Sequence, residues 1–380
     1  MKWFVNLLRR LINRILRITS ALIDSYSLYL NLLPPHFRLK ELMRFSCLGK
    51  GVSVKGRIRV PTPFYIEMGN NVSIRDMKIA PEKYVLIERD TVVNDLDCQE
   101  HSIVSNRKHY TGKEIAGNII TISIDFEGGV ALSHAQKEQW DYLKRFWDSR
   151  DATMRLASLF KKYQIPVTWA ACGHLFLKEC AGDHGITEKD WFGEWFAYDP
   201  ASNYLDDPSW YMPLELKKLA EEPLFEIGYH SFGHYFYKKC SRETMLNDIR
   251  MAETIRKEWG LKLESFVFPY NQCDGFNLLV EKGGFRNLRG NIGCKWPMYG
   301  VYDFKVFRFF NTTQMISPDT MDICTEQLNH LSSNKRISNY FTHCYQWSEK
   351  DAWDALEVWL KELKFLRDSG KIGIKAMCDI

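Results

Sequence analysis

From residue 119 onward the chain alternates short apolar runs with amphipathic stretches of helical period, and that alternation constrains the fold more than any other feature. Residues 119–124 read as a strand that ends at Asp125, and 136–163 as an amphipathic helix. Residues 166–171 and 226–229 are further strands, followed by a helix over 242–258 with Met245, Ile249, Met251, Ile255 and Trp259 at helical spacing. Later strands are expected at 266–270, 305–310 and 337–342, a helix at 350–367, and a closing apolar segment at 371–377. Repeated βα units imply a parallel sheet, and this many in one chain imply a distorted (β/α) barrel of about seven strands. The 380 residues leave room for one barrel of roughly 250 residues and an extension. Barrel enzymes place their reactive groups at the C-terminal ends of strands. Asp125, His230, Tyr270 and His343 all fall at or just after such an end.

The chain before the barrel divides in two. Residues 1–18 (MKWFVNLLRRLINRILRI) have Lys2, Asn6, Arg9, Arg10, Asn13, Arg14 and Arg17 at three- and four-residue steps, so these polar groups share one helical face. Trp3, Phe4, Leu7, Leu8, Leu11, Ile12, Ile15 and Ile18 cover much of the remainder. The polar positions interrupt the apolar run that a secretory signal needs. A purely basic face opposite a Trp/Leu/Ile face suits a helix lying on an anionic membrane surface, with a helix packed on its own protein as the alternative. Residues 21–33 carry Asp24 and end at Pro34-Pro35, too short and too polar to span a bilayer alone. Residues 1–35 are therefore read as an amphipathic membrane-surface region, 36–110 as a small β-rich module, and 111–380 as the barrel.

Within the module, Ile66-Glu67-Met68-Gly69-Asn70-Asn71-Val72-Ser73-Ile74 reads like one turn of a hexapeptide β-helix. Its neighbours keep no strict six-residue frame, so a few irregular coils are expected. Coils of this kind occur in acyltransferases, but residues 50–95 contain no histidine to act as base.

Composition narrows the function. A net charge of +4 over 380 residues argues against nucleic-acid binding by bulk electrostatics. The ten cysteines form no C-x-x-C pair and no regular spacing, which points to free thiols in a reducing compartment. Cys344, beside His343, is the one whose thiol is worth weighing as a nucleophile. Aromatics reach 14%, and the connection 181–212 holds Trp191, Trp195, Tyr198, Tyr204, Trp210 and Tyr211. A loop this long is read as a lid or sugar-stacking rim, or else as a segment tucked onto the barrel by its aromatics.

Two motifs carry chemistry. His230-Ser-Phe-Gly-His234 places two imidazoles four residues apart, which on a helical turn sets both on one side and suits chelation of one cation. Asp125-Phe126-Glu127-Gly128-Gly129 ends the strand IITISI, and its two carboxylates, two residues apart on extended backbone, point the same way. Two imidazoles and a carboxylate leave open positions on zinc or a similar divalent ion, which activates water toward a carbonyl carbon. The second carboxylate is then available as general base.

These segments, T-I-S-I-D-F-E, F-E-I-G-Y-H-S-F-G-H, F-V-F-P-Y-N and F-T-H, resemble the successive motifs of the polysaccharide deacetylase (NodB-homology) family and appear in the family's order across residues 119–347. The resemblance implies metal-dependent hydrolysis of an N-acetyl group on an amino sugar, with release of acetate. It implies Asp125 as general base, Glu127, His230 and His234 as metal ligands, and His343 as general acid. The Tyr270 backbone N–H would hold the oxyanion, and Trp347 and Trp210 would wall the substrate pocket. Asp-Phe-Glu departs from the family's commoner adjacent aspartates, so the roles of Asp125 and Glu127 stand open to exchange. Phe268-Pro269-Tyr270 lacks the family's base-orienting arginine, for which Arg308 is a substitute or an ordinary salt-bridge residue. Combined with the basic helix, this reading places the chain on the cytoplasmic membrane face, acting on a surface-polysaccharide or lipid-linked precursor. The alternatives are a catalytically silent barrel used as a membrane-docked scaffold, and an amidohydrolase acting on a non-sugar amide.

Overall fold

The computed structural model describes residues 46–60, 66–80, 83–132, 149–184, 199–292, 299–348 and 352–380. The amphipathic segment 1–35 and the first part of the expected helix 136–163 lie outside them. Among the described residues no helix is long and apolar enough to cross a membrane. The chain separates into two compact units, Met1–Lys113 with Ile292–Met298, and Glu114–Asn291 with Tyr299–Ile380.

The second unit is the expected barrel. Its strands are β1 (Ile119–Phe126), β2 (Val167–Ala171), β3 (Phe225–Tyr229), β4 (Ser265–Gln272), β5 (Asn287–Asn291), β6 (Arg308–Met315) and β7 (Ile337–His343). Each pairs in parallel with the next, and β7 returns to β1, which closes the barrel. Two short strands add to it, Gly300–Asp303 antiparallel on β6 and Gly373–Lys375 parallel on β1. Helices α1 (Ser149–Lys162), α2 (Pro213–Ala220), α3 (Arg242–Trp259), α4 (Phe276–Glu281), α5 (Met321–Asn334) and α6 (Trp353–Asp368) fill the connections. The longest among the described residues, α3, starts where the Ser241 side chain accepts from the Thr244 N–H and stops at left-handed Gly260.

The mixed character of β1 has a geometric cause. Side chains alternate between the faces of a strand, so Thr121, Ser123 and Asp125 share one side, and Ile120, Ile122, Ile124 and Phe126 the other. The first set belongs to a polar barrel interior. Thr121 Oγ1 donates to Asn339 Oδ1 at 2.9 Å, and Arg289 Nη1 donates to Ser123 Oγ at 3.0 Å. The isoleucines are fully buried among the surrounding apolar side chains.

Two strands differ from expectation. The strand expected over 305–310 begins at Arg308 and continues to Met315, and β5 (NLRGN) carries too little apolar sequence to stand out by hydrophobicity. The Asn and Arg residues of β5 face the same polar interior, which is why a buried strand reads as hydrophilic.

The first unit is a stack of parallel coils. Strands Cys47–Leu48, Ile66–Met68, Val85–Ile87 and His101–Val104 pair in succession, with Leu48 beside Met68, Met68 beside Ile87 and Ile87 beside Val104. Val54, Ile58, Val72, Ile74, Met77, Val85 and Ile87 project into the common core. Gly51, Asn71 and Asp90 turn successive corners with φ of 72°, 57° and 57°, a conformation that suits Gly, Asn and Asp. Asn71 Nδ2 ties its corner to the next by donating to Asp90 Oδ1 at 2.9 Å. Cys47 is disulfide-bonded, so the expectation that all ten cysteines are free thiols does not hold for it. Eight others are free.

The coils approach closely at Gly69, where a Cβ would stand 2.5 Å from the Arg89 backbone nitrogen. That neighbour is main chain and has little room to yield. Gly69→Ala is expected to destabilise this unit by about 1–3 kcal/mol, seen as a lowered first transition in thermal unfolding of the full chain.

Candidate active site

The C-terminal ends of β1, β3, β5 and β7 converge on one cluster. At the end of β1, Asp125 and Glu127 are 3% and 4% exposed. Gly128 takes φ 51° and, with Gly129, lets the chain turn against the segment 209–210. The Gly129 N–H donates to the Ser209 carbonyl at 2.8 Å, and a Cβ on Gly129 would stand 2.7 Å from Trp210 Nε1. Trp210, read from sequence as a substrate-facing aromatic, is 5% exposed and backs this turn instead of facing solvent.

The His230–His234 pair is not helical. Ser231 and His234 adopt left-handed φ of 62° and 57°, and this turn swings both rings to one side. His230 Nδ1 donates to the Val267 carbonyl at 2.8 Å, which fixes the tautomer and leaves Nε2 facing the site. The two Nε2 atoms each lie 3.2 Å from Glu127 Oε1. Beneath the turn sits Asp248 of α3, fully buried. It accepts from the Phe232 N–H at 2.6 Å and from the hydroxyls of Tyr229 and Tyr237 at 2.9 and 2.6 Å.

Asp125 is held from β5. Arg289 Nη1 and Nη2 donate to its two carboxylate oxygens at 2.7 Å each, a bidentate pair with Arg289 wholly buried. Arg289 also donates to Asn271 Oδ1 at 3.2 Å and lies over the Phe341 ring, 4.7 Å from its centroid. Arg308 does not reach this place. It is the first residue of β6, paired with Asn287 and Asp303 at the opposite end of the barrel. The position proposed for Arg308 from sequence is filled by Arg289.

After Pro269, Tyr270 and Asn271 both take left-handed φ (57° and 55°), and the Tyr270 ring packs 4.6 Å from that of His234. His343 ends β7, in register with Asp125 on β1. Its Nε2 lies 3.6 Å from both Asp125 Oδ2 and Glu127 Oε1, and its Nδ1 is 3.2 Å from Gln346 Oε1. Trp347 is 1% exposed, donates through Nε1 to Thr342 Oγ1 at 2.9 Å and packs on Trp353. It is part of the wall behind β7, not an open sugar platform.

Burial would raise the Glu127 carboxyl, but the charges of His234 and His343 and the hydrogen bond from His230 hold it well below the usual carboxylate range. Burial draws His234 below the ordinary imidazole value, against the pull of Glu127. The Tyr270 hydroxyl is pushed well up by burial and by Glu127, and stays protonated. Burial, with Glu127 and Asp125 nearby, pushes the Cys344 thiol up to about 12, which excludes it as a nucleophile at neutral pH.

Comparison with known proteins gives the same fold and a family model that matches part of the barrel. Residues 140–281 match the family model described as polysaccharide deacetylase. Over this segment the chain is similar to the polysaccharide deacetylase family. The matched segment contains His230 and His234, and the barrel adds Asp125, Glu127, Arg289 and His343 from outside it. A putative polysaccharide deacetylase from Mycobacterium smegmatis is similar in structure, with 12% identity over 69% of this chain and 87% of its own, at a TM-score of 0.50. A probable polysaccharide deacetylase from Pseudomonas aeruginosa PAO1 also matches, at 12% identity over 69% and 89% with a TM-score of 0.46. No curated protein matches the chain.

Glu127, His230 and His234 offer three buried ligand atoms within 4.8 Å of one another, and Asp125, Glu127 and His343 form an overlapping group. The first group suits a resident divalent ion better. Both imidazoles present Nε2 to one carboxylate oxygen, whereas both oxygens of Asp125 are engaged by Arg289. Sequence reasoning missed Arg289, Asn271 and Asp248. The only signal was an Arg-Gly step in a polar segment, an Asn after Pro-Tyr, and an Asp on the apolar side of a helix.

Asp248 supplies a pH test. Burial raises its carboxyl from 3.8 to about 6, despite hydrogen bonds from Tyr237 and Phe232. Between about pH 4 and 6 the folded state holds a proton that the unfolded state has released, so stability from this group is full below about pH 4 and falls as the pH rises, by about 3 kcal/mol at most. Denaturant melts from pH 4 to 7 are expected to show this downward slope in the wild type and a flatter profile in Asp248→Asn.

Proposed function

We propose that the barrel hydrolyses the N-acetyl group of an amino sugar, with Asp125 as base, His343 as acid, and Glu127, His230 and His234 as ligands of a divalent ion, zinc by donor type. The observation that carries this reading is the approach of two imidazole Nε2 atoms to 3.2 Å from one Glu127 oxygen, beside a carboxylate clamped by a buried arginine. An ion held there supplies Lewis acidity toward an amide carbonyl and lowers the pKa of water.

The remaining steps belong to the chain's own groups. Arg289 locks Asp125 so that a carboxylate oxygen faces the attacking water and takes its proton. His343 has 15% of its side chain exposed, the most open member of the cluster, which suits a group that must meet the substrate. Its Nδ1 is turned to Gln346, so Nε2 can deliver a proton to the departing amine. The C–N bond breaks, acetate leaves and the amine is released. Arg289 also removes the support for a silent barrel, which rested on the lack of an arginine after β4.

The substrate is proposed to be a surface polysaccharide or lipid-linked precursor, met at the cytoplasmic face of an anionic membrane by residues 1–18. Its support is the basic and apolar patterning of those residues.

Acetate release from N-acetylglucosamine oligosaccharides, free and lipid-linked in anionic vesicles, tests both parts. Chelation is expected to remove activity and divalent metal to restore it. His230→Ala and Asp125→Asn are expected to lower kcat by at least about 10^3-fold, and Arg289→Lys by about 10^2-fold. Full activity in His230→Ala, or after exhaustive chelation, overturns the assignment. A rate on vesicles no higher than on free oligosaccharide overturns the membrane part alone.

A further inference from the structure

Behind the active site, in the connection between β2 and α2, four further side chains meet. His174 follows β2, Cys180 and His184 lie beyond it, and Asp199 lies on the far side of residues 185–198. One ligand atom from each lies within 4.8 Å of the others. Asp199 Oδ2 is 3.2 Å from His174 Nε2 and 2.8 Å from His184 Nε2. Cys180 Sγ is 3.7 Å from His174 Nε2 and 3.3 Å from Asp199 Oδ2. Bonds of about 2.0–2.3 Å to a tetrahedral ion place ligand atoms about 3.3–3.7 Å apart, so three of these separations are close to the edges of one coordination tetrahedron, while the His184–Asp199 pair at 2.8 Å is shorter.

We propose that His174, Cys180, His184 and Asp199 form a second metal site, a structural zinc centre distinct from Glu127–His230–His234. Two neutral imidazoles, a thiolate and a carboxylate carry a charge of about −2, which balances a divalent ion in a buried setting. Thiolate with imidazole selects zinc over magnesium or calcium.

The groups around the cluster orient it as metal ligands are oriented. His174 Nδ1 donates to the Trp210 carbonyl at 2.9 Å, which leaves Nε2 as the donor atom. Asp199 Oδ1 accepts from the Ala201 N–H and the Tyr211 hydroxyl at 3.0 and 3.2 Å, and Oδ2 faces the cluster. The Gly182 N–H donates to Cys180 Sγ at 3.4 Å. A Cys–His–Asp nucleophile fits less well, because His174 Nδ1 is bonded to a carbonyl and not to Asp199. Four protein ligands leave no open position, the mark of a structural site.

The centre would brace the neighbouring catalytic turn. The His174 N–H donates to the Phe232 carbonyl at 3.0 Å and the Gly173 N–H to that of Ser231 at 2.8 Å, both between His230 and His234. Trp210, whose carbonyl receives His174, packs against Gly129 beyond Glu127. The four residues are positioning residues in this scheme and touch no substrate.

Metal content and cobalt spectroscopy of the full chain test the site independently of catalysis. Zinc-loaded wild type is expected to hold two equivalents, and His230→Ala and the double variant Cys180→Ser/His184→Ala one each. Cobalt-loaded wild type and His230→Ala are expected to show a thiolate-to-cobalt charge-transfer band that Cys180→Ser lacks, since the catalytic cluster contains no sulfur. Folded His230→Ala that retains no zinc overturns the proposal, and this arm does not depend on the Cys180 variants folding. Absence of the band from cobalt-loaded wild type, or rapid alkylation of Cys180 in the zinc-loaded protein, also overturns it.

Discussion

The ion pair between Arg289 and Asp125 is the constraint around which the barrel is arranged. Burying a guanidinium is costly unless its donors are engaged, and here Asp125, Ser123 and Asn271 receive those of Nη1 and Nη2 while Phe341 lies beneath; Nε has no hydrogen-bond partner among the described residues. Removing one member of a buried pair leaves an uncompensated charge and costs about 3–5 kcal/mol. The pair joins β1 to β5 across the interior, so it fixes the carboxylate relative to the strands that bring the histidines. The polar lumen follows from it, because a charged pair cannot be surrounded by aliphatics alone.

A different logic holds the stacked coils of the first unit. There the same few positions recur with each coil, small or left-handed residues at the corners and aliphatics inside. The corner glycine and asparagine are visible in the sequence around Gly69-Asn70-Asn71. The frame is hard to follow because the step between paired residues varies, Leu48 to Met68, then Met68 to Ile87, then Ile87 to Val104.

The barrel and much of its site were legible for specific reasons. β1, β2, β3 and β7 carry apolar residues that stand out in the sequence, and β1, β3 and β7 end in or beside a residue of the cluster. The His230–His234 spacing and the Asp-Phe-Glu triplet are local, so both were readable without a fold. What escaped depends on partners distant in sequence. Arg289 is meaningful only because Asp125 stands across the barrel, and its strand reads as hydrophilic for the same reason. Arg308 stands at the start of β6, not near its end, because the strand begins three residues later than the apolar pattern over 305–310 suggests and runs on to Met315. The cluster of His174, Cys180, His184 and Asp199 has no recognisable ligand spacing, and only folding brings it together. The aromatic connection expected to form a rim places Tyr211 and Trp210 inward, next to that cluster.

The register of β1 with β7 sets when the chain becomes competent. Asp125 lies opposite His343, and the same ladder joins Thr121 to Asn339 through a contact that spans 218 residues. Contacts of such long range are slow to form and close large loops. The proposed base and acid therefore come together only when the first and last strands of the barrel meet. A partly folded chain can present the histidine turn, but it has no opposed Asp125–His343 pair until that seam closes, so the proposed site is complete only once the barrel is closed.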